Sequence, residues 1–591
     1  MNLIYRYMKP HFPRMAVGFV IKFTGTIMDL ALPWILAYII DKIVPLADIR
    51  QVLLWGVVMF FCALIAVLGN VIANRMASAV ARDSIREVRN DLFAHIMILS
   101  RKQTDAFTEG SLISRMTSDT YNIHQVMGMM QRLGVRAPIL LIGGIVVTMT
   151  LDPVLASILV ATLPFLGGVV FYVARKGIPL YQIHQQASDK LISKVRESTT
   201  GIRVIRALSK AVYEEGRFEE INSDVAAKER QAGITMALTN PVMNFLLNMG
   251  WIGIILVGAY RVNAGLTQAG KIIAFLTYFT IILNAMLSIT RLFVMFSKAG
   301  SSAGRIEEIM KTKEEIVRIP EYDTRGYVDT CSDKDNQAVD NVQEWSGTKE
   351  DIPLIRFDHV TFSYQGKTNQ LDDINFSVYR NQTLGIIGAT GSGKTTIIQL
   401  LMRFYDVDQG AIYIDGRDVR SFEPELLHER FGVVFQNDML FEDSVEENIR
   451  LGRELSSEQI IEAAEWAQIR EHIEAREDGF DSLVAIKGSN FSGGQKQRML
   501  IARAIAQKPQ ILILDDSSSA LDYKTDATVR AMIAKHLPET TTIIIAQRAS
   551  SVMNCDQIVV IEEGRIIGAG NHQKLMKECE EYREINRLQC R

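Results

Sequence analysis

The sequence predicts a six-span α-helical membrane domain followed by an α/β domain. Three observations point there: long apolar runs that stop near Phe296, a second half of mixed polar and apolar text, and short apolar strands that end in glycine-rich or acidic turns. Of the 591 residues 48% are hydrophobic and 22% charged, too apolar for a disordered chain and high for a soluble enzyme. Lys and Arg total 64 against 67 Asp and Glu, so the basic excess of a nucleic-acid binder is missing. The five Cys are scattered without a C-x-x-C pair and read as reduced structural thiols.

A bilayer core needs about 20 apolar residues per helix. Six stretches qualify: Met15–Ile40, Val52–Ala73, Val126–Thr150, Val154–Ala174, Ile234–Tyr260 and Ile272–Ser297. Lys and Arg crowd the second-to-third and fourth-to-fifth connections, which predicts that both are cytoplasmic. The other connections, Asp41–Gln51, Leu151-Asp152-Pro153 and Arg261–Gly270, then face outside, and both termini lie inside. No cleavable signal is expected before the first span, which serves as the anchor in the cell membrane.

The cytoplasmic connections carry helical text over Asp83–Leu99 and Ala187–Val204, so the membrane helices are expected to run on into the cytosol, with reversals at Gly110 and Gly201. Residues 1–318 are assigned to the membrane domain. Residues 319–352, acidic and without periodicity, are assigned to a linker, and 353–591 to the α/β domain.

Chemistry concentrates in the second half. A strand, Leu384-Gly385-Ile386-Ile387, runs into Gly388-Ala389-Thr390-Gly391-Ser392-Gly393-Lys394-Thr395, and a helix opens at Thr396. This is a P-loop in its required context. Its backbone N–H groups and helix N-terminus cradle the β- and γ-phosphates of a nucleotide, Lys394 adds a point charge, and the Thr395 hydroxyl suits Mg²⁺. A second apolar strand, Ile511-Leu512-Ile513-Leu514, delivers Asp515 and Asp516, with Asp515 placed to hold Mg²⁺ through water. Ser492-Gly493-Gly494-Gln495 opens another helix and makes a second anion cradle that one nucleotide does not obviously need.

With Gln436 and Ser519-Ala520-Leu521-Asp522, these motifs stand in the order and spacing of ABC transporters, and with six preceding spans the whole chain resembles a bacterial half-exporter of the multidrug type. The resemblance implies a dimer in which each ATP lies between the P-loop of one chain and the signature, here Ser492–Gln495, of the other. It implies that Tyr364 stacks on adenine and that Gln436 couples the Mg²⁺ site to the membrane domain. It also implies coupling helices at Gly110–Ser118 and Ile202–Phe218.

Two positions depart from the family pattern. The catalytic Glu after the Mg²⁺ aspartate is Asp516, and the switch His after Ile543-Ile544-Ile545-Ala546 is Gln547. Both changes weaken hydrolysis and leave the binding residues intact, whereas the signature is complete. The expectation is a heterodimer in which this chain completes a hydrolytic site on a second half-transporter, the alternative being a homodimer of low activity. Ile486 replaces a Glu common before the signature, which is expected to alter cross-talk with the partner's coupling helices. Small amphiphilic or drug-like cargo is expected, with lipid or peptide export and a mainly regulatory ATP-binding role as alternatives. In the first span Lys22 and Asp29 share a helical face, either as a neutralising pair, with Lys22 snorkelling as a variant, or with Asp29 on a cavity that favours cations. In the fifth, Asn240, Asn244 and Asn248 form a polar stripe for interhelical hydrogen bonds or cavity lining.

Overall fold

The computed structural model describes residues 2–312 and 352–589, apart from 365, 367, 437, 518 and 519. The expected linker, but for residue 352, and Ser519 of the Ser-Ala-Leu-Asp motif lie outside the described residues, as does the side chain of Asn240. Two compact units divide the chain, one of residues 1–98 and 107–313, the other of residues 99–106 and 314–591.

In the first unit, five helices are long and apolar enough to cross a membrane among the described residues: Ile49–Met97, Glu109–Leu151, Pro153–Thr200, Pro241–Asn263 and Ala269–Lys311. The expected first span is a single 27-residue helix, Phe12–Tyr38. It has the length of a span and carries Lys22 and Asp29 within it. As expected, the helices overrun the apolar stretches. Ile49–Met97 extends 49 residues without interruption, and Ala269–Lys311 extends 43.

Polar contacts tie the ends of these helices. Asp41 accepts from the backbone N–H groups of Gly270 (2.5 Å) and Lys271 (3.0 Å), capping the Ala269–Lys311 helix. Asp152, in extended backbone, does the same for Val154 (3.0 Å) and Leu155 (3.3 Å), so the three-residue turn between two spans is a helix cap. On the opposite ends, buried Asp119 accepts from Ser302 at 2.8 Å and pairs with Arg305, and buried Lys194 pairs with Glu214 across the helices Ile178–Thr200 and Ala211–Ala237.

The chain reverses at Gly201 as expected, between Thr200 and the short helix Ile202–Ala207. The earlier reversal falls elsewhere. Gly110 lies inside the helix Glu109–Ser114, which continues into the third span, while a separate short helix occupies Arg101–Phe107. Ser100 and Gln103 form a reciprocal cap there, Gln103 N to Ser100 Oγ at 3.2 Å and Ser100 N to Gln103 Oε1 at 3.1 Å. Residues 99–106 cluster with the second unit and residues 110–118 with the first.

The second unit is built on a six-stranded sheet in the order Arg565–Gly570, Gln557–Glu562, Thr383–Ile387, Thr541–Ala546, Ile511–Asp515, Phe431–Val434. From Gln557–Glu562 to Phe431–Val434 every pairing is parallel. Both faces are covered, which is why Ile511–Asp515 and Thr541–Ala546 are buried along their whole length and contain the apolar runs 511–514 and 543–546. A four-stranded antiparallel sheet holding Ile355–Phe362 and Leu371–Val378 shares one of the two cores.

Candidate functional site

Register alone assembles the site. Ile387 pairs with Ala546 and Asp515 with Ile545, while Val434 pairs with Leu514. Four adjacent parallel strands therefore end together and release the P-loop, Gln547, Asp515-Asp516 and Phe435-Gln436 at one edge of the sheet, where open α/β sheets bind ligands.

Thr390, Gly391, Gly393, Lys394, Thr395, Thr396, Gln436, Asp515, Asp516 and Gln547 line one cavity of about 170 Å³. Gly388, Ala389 and Ser392 complete the loop around it. Lys394 donates to the carbonyls of Gly388 (2.9 Å) and Ala389 (2.6 Å) and to Ser392 Oγ (3.4 Å). Two glycines are dictated by space. A Cβ on Gly388 would stand 2.1 Å from the Ile561 carbonyl, and one on Gly393, whose φ is 101°, would meet Leu371 at 2.6 Å.

Thr395 Oγ1 donates to Asp515 Oδ2 at 3.1 Å, so the hydroxyl and carboxylate expected to share a cation touch directly. Burial pushes the Asp515 carboxyl above the ordinary carboxylate range against the opposing Thr395 bond, and burial also pushes Asp516 up while Arg548 and Lys394 oppose it. The Lys394 ammonium is pushed down by burial and held up by the two aspartates. Asp516 has φ 49°, a left-handed conformation that Asp tolerates better than most residues.

Tyr364 stands outside the cavity lining. Its hydroxyl donates to Gln399 Oε1 (2.6 Å) and lies 3.1 Å from Thr396 Oγ1, and its ring meets Phe362 and Tyr405 edge to face at 4.9 and 5.1 Å. Ser492, Gly493, Gly494 and Gln495 do not line the cavity either. They open the helix Gly493–Ile505 with a capping box, Gln495 N to Ser492 Oγ at 3.3 Å and Ser492 N to Gln495 Oε1 at 2.9 Å. Ile486, before the signature, is exposed.

One residue the motifs do not mark is Gln589. Its Nε2 donates to the Gln547 carbonyl (2.8 Å) and its Oε1 accepts from Ala549 N (2.6 Å), so the C-terminal helix Glu580–Gln589 clasps the switch segment.

In the membrane helices, Lys22 and Asp29 do not pair. Lys22 Nζ donates to Asn74 Oδ1 at 3.0 Å, and Asp29 Oδ2 takes Arg136 at 3.1 Å and Asn70 at 3.2 Å. The neutralising partner is Arg136, chosen by packing between helices rather than by spacing within one. Asn244 and Asn248 are exposed and make no interhelical hydrogen bond among the described residues.

Membrane-length helices joined to four strand ends carrying a P-loop, an acidic strand end and a separate Ser-Gly-Gly-Gln helix define an ABC-type transport chain. Comparison with known proteins agrees. Residues 15–286 match the ABC transporter transmembrane region and residues 371–519 the ABC transporter family. The chain is 33% identical to the ABC transporter ATP-binding protein YfiB of Bacillus subtilis, over 98% of this chain and 97% of that one. It is 31% identical to an ABC transporter ATP-binding protein of Mycobacterium tuberculosis, over 99% and 97%, and 27% identical to a fatty acid ABC transporter ATP-binding/permease protein of Mycobacterium bovis, over 87% and 78%. In fold it resembles the structure of a bacterial Atm1-family ABC exporter with ATP bound, with a TM-score of 0.79, 23% identity and 97% of each chain covered. The chain belongs to the ABC transporters. It is an ATP-binding/permease subunit of a multi-pass membrane exporter with its ATPase domain in the cytoplasm, and such exporters work as dimers.

Proposed function

We propose that this chain is the degenerate-site half of a heterodimeric exporter of small amphiphiles. The observation that carries the reading is that Asp516 and Gln547 both face the phosphate cavity at the base and switch positions, while Ser492–Gln495 stays intact and away from it. ATP binds with its phosphates over the P-loop and its adenine on Tyr364. Lys394 exchanges its loop carbonyls for phosphate oxygens. Thr395, Asp515 and Gln436 offer hard oxygen donors in one cavity, a set that suits Mg²⁺. Once bound, Mg²⁺ neutralises phosphate charge.

Hydrolysis in this site is slow because Asp516 is one methylene short of the water that a Glu would orient, and an error of about 1 Å there costs on the order of 10²-fold. Gln547 carries neither the charge nor the proton of a His. The signature completes the partner's site, where ATP is turned over. Purified alone, the chain is expected to bind ATP and turn it over feebly. Brisk hydrolysis that depends on Asp516 would sink the heterodimer reading and favour a homodimer.

Asn244 and Asn248, exposed on the fifth span, line the cargo path in this reading. Asp29 is spoken for by Arg136 and offers no free charge to a cation. Export of a lipid-like cargo is the second reading, favoured by the relative named for fatty acid. Transport of labelled amphiphiles into inside-out vesicles separates the two.

A further inference from the structure

Three cations and one anion meet between the first three membrane helices. Lys22 is buried at 3% exposure on the Phe12–Tyr38 helix, and Arg132, Arg136 and Asp29 all act on its ammonium. Arg132 and Arg136 lie four apart on one face of the third-span helix Thr120–Leu151. Of the three cations, Asp29 pairs with Arg136 alone. Lys22 is satisfied by the neutral amide of Asn74, and Arg132 by the carbonyl of Gly128 at 3.2 Å from its Nε. Among the described residues no acid pairs with Lys22 or Arg132, so the cluster keeps two positive charges in excess. Arg136 also has an Nε that finds no acceptor, although its side chain remains 42% exposed.

Unmatched cations inside a span are costly, and helix packing does not need them. Arg presents a planar fork of donors matched to carboxylate and phosphate oxygens, and its worth rises where water is scarce. We infer that Arg132 and Arg136, backed by the field of buried Lys22, bind the anionic headgroup of the cargo. The exporter's substrate is then an amphiphile with a carboxylate or phosphate on an apolar tail, not a cation. Asp29 and Asn70 hold Arg136 in place and keep the cluster from excessive positive charge. This assignment rests on the export reading above and names the cargo class for it.

The test uses the full-length chain in nanodiscs of phosphatidylcholine, with fluorescence polarisation of 11-(dansylamino)undecanoate and of a dansyl-undecylamine matched in length. The carboxylate is expected to bind at least tenfold more tightly than the amine. Arg132→Gln, which orphans no acid, is expected to weaken the carboxylate at least tenfold and leave the amine unchanged, whereas Arg132→Lys retains most of the affinity. Arg136→Gln should act in the same direction. If it fails to fold by thermal melt, Arg132→Gln alone decides. Equal affinity for acid and amine, or an Arg132→Gln chain that binds the acid as before, would overturn the assignment. Loss of carboxylate binding in phosphatidylglycerol nanodiscs would also overturn it, assigning the site to a bilayer lipid. Binding of trinitrophenyl-ATP to the same samples is read separately. Its failure would sink the ATP-driven reading while leaving the anion preference standing.

Discussion

The hydroxyl of Tyr405 donates a 2.9 Å hydrogen bond to Asp105 Oδ2, and the same ring packs edge to face on Tyr364 at 5.1 Å. Burial, reinforced by Asp105, pushes the Tyr405 phenol up, so it stays a donor across physiological pH. Asp105 sits on the Arg101–Phe107 helix, which follows the Ile49–Met97 membrane helix with only Ile98–Ser100 between. One phenol thus joins the expected adenine platform to a segment continuous with a span. Tyr405→Phe keeps the ring and loses the bond, a change worth about 1.5–3 kcal/mol for a charged acceptor. The expected outcome in the assembled transporter is unchanged ATP affinity with a several-fold smaller stimulation of ATPase by cargo. Equal stimulation in the variant would refute the link.

Asp516→Glu combined with Gln547→His is expected to raise ATP turnover by the isolated chain on the order of 10²-fold. Gln547 and Asp516 face the same cavity, so the pair should act together and exceed the sum of the single changes. The φ of 49° at Asp516 sets a cost, because Glu tolerates the left-handed region less well than Asp. A melting temperature lower by a few degrees is expected alongside the gain in rate. Single-turnover measurements with radiolabelled ATP check the rate and thermal denaturation the melting temperature, and no gain in rate would mean that the site is limited elsewhere.

Asp41 is the device that starts the Ala269–Lys311 helix, accepting from two of its first N–H groups. Gly270 lets the cap approach, since a Cβ there would lie 2.7 Å from both the Ala37 carbonyl and the Asp41 carboxylate. Asp41→Ala is expected to cost about 1 kcal/mol and Gly270→Ala more, because the latter pushes the two helices apart. Thermal denaturation in detergent should rank them in that order.

The ATP site was legible because each of its parts is a local pattern, and parallel pairing brings the ends of neighbouring strands together without further information. The Lys394 loop, Asp515 and Gln436 needed only the rule that such sheets bind at their strand ends. What escaped was non-local or weakly signalled. Arg136 as the partner of Asp29 follows from packing of two helices more than a hundred residues apart, which spacing within the first span cannot reveal. The Arg101–Phe107 helix did carry a signal, the Ser100-x-x-Gln103 capping box, whereas Gly110, the expected breaker, sits in an exposed helical turn with no neighbour to forbid a side chain.

Gln589 is another residue that no local pattern marks. It lies far from any motif, yet it holds the Gln547 carbonyl and the Ala549 N–H at once, fixing the turn that follows the Thr541–Ala546 strand. The helix that carries it is anchored by Tyr582, fully buried and within 2.8 Å of His572 Nδ1. Gln589→Ala frees the switch turn while the core packing stays, so stability should fall by no more than about 1–2 kcal/mol. Placement of residue 547 against the phosphates should suffer more. In the Asp516→Glu, Gln547→His background, where that residue acts, Gln589→Ala is expected to remove most of the restored turnover and leave trinitrophenyl-ATP affinity within twofold. Full turnover in the triple variant would show that the clasp is only structural.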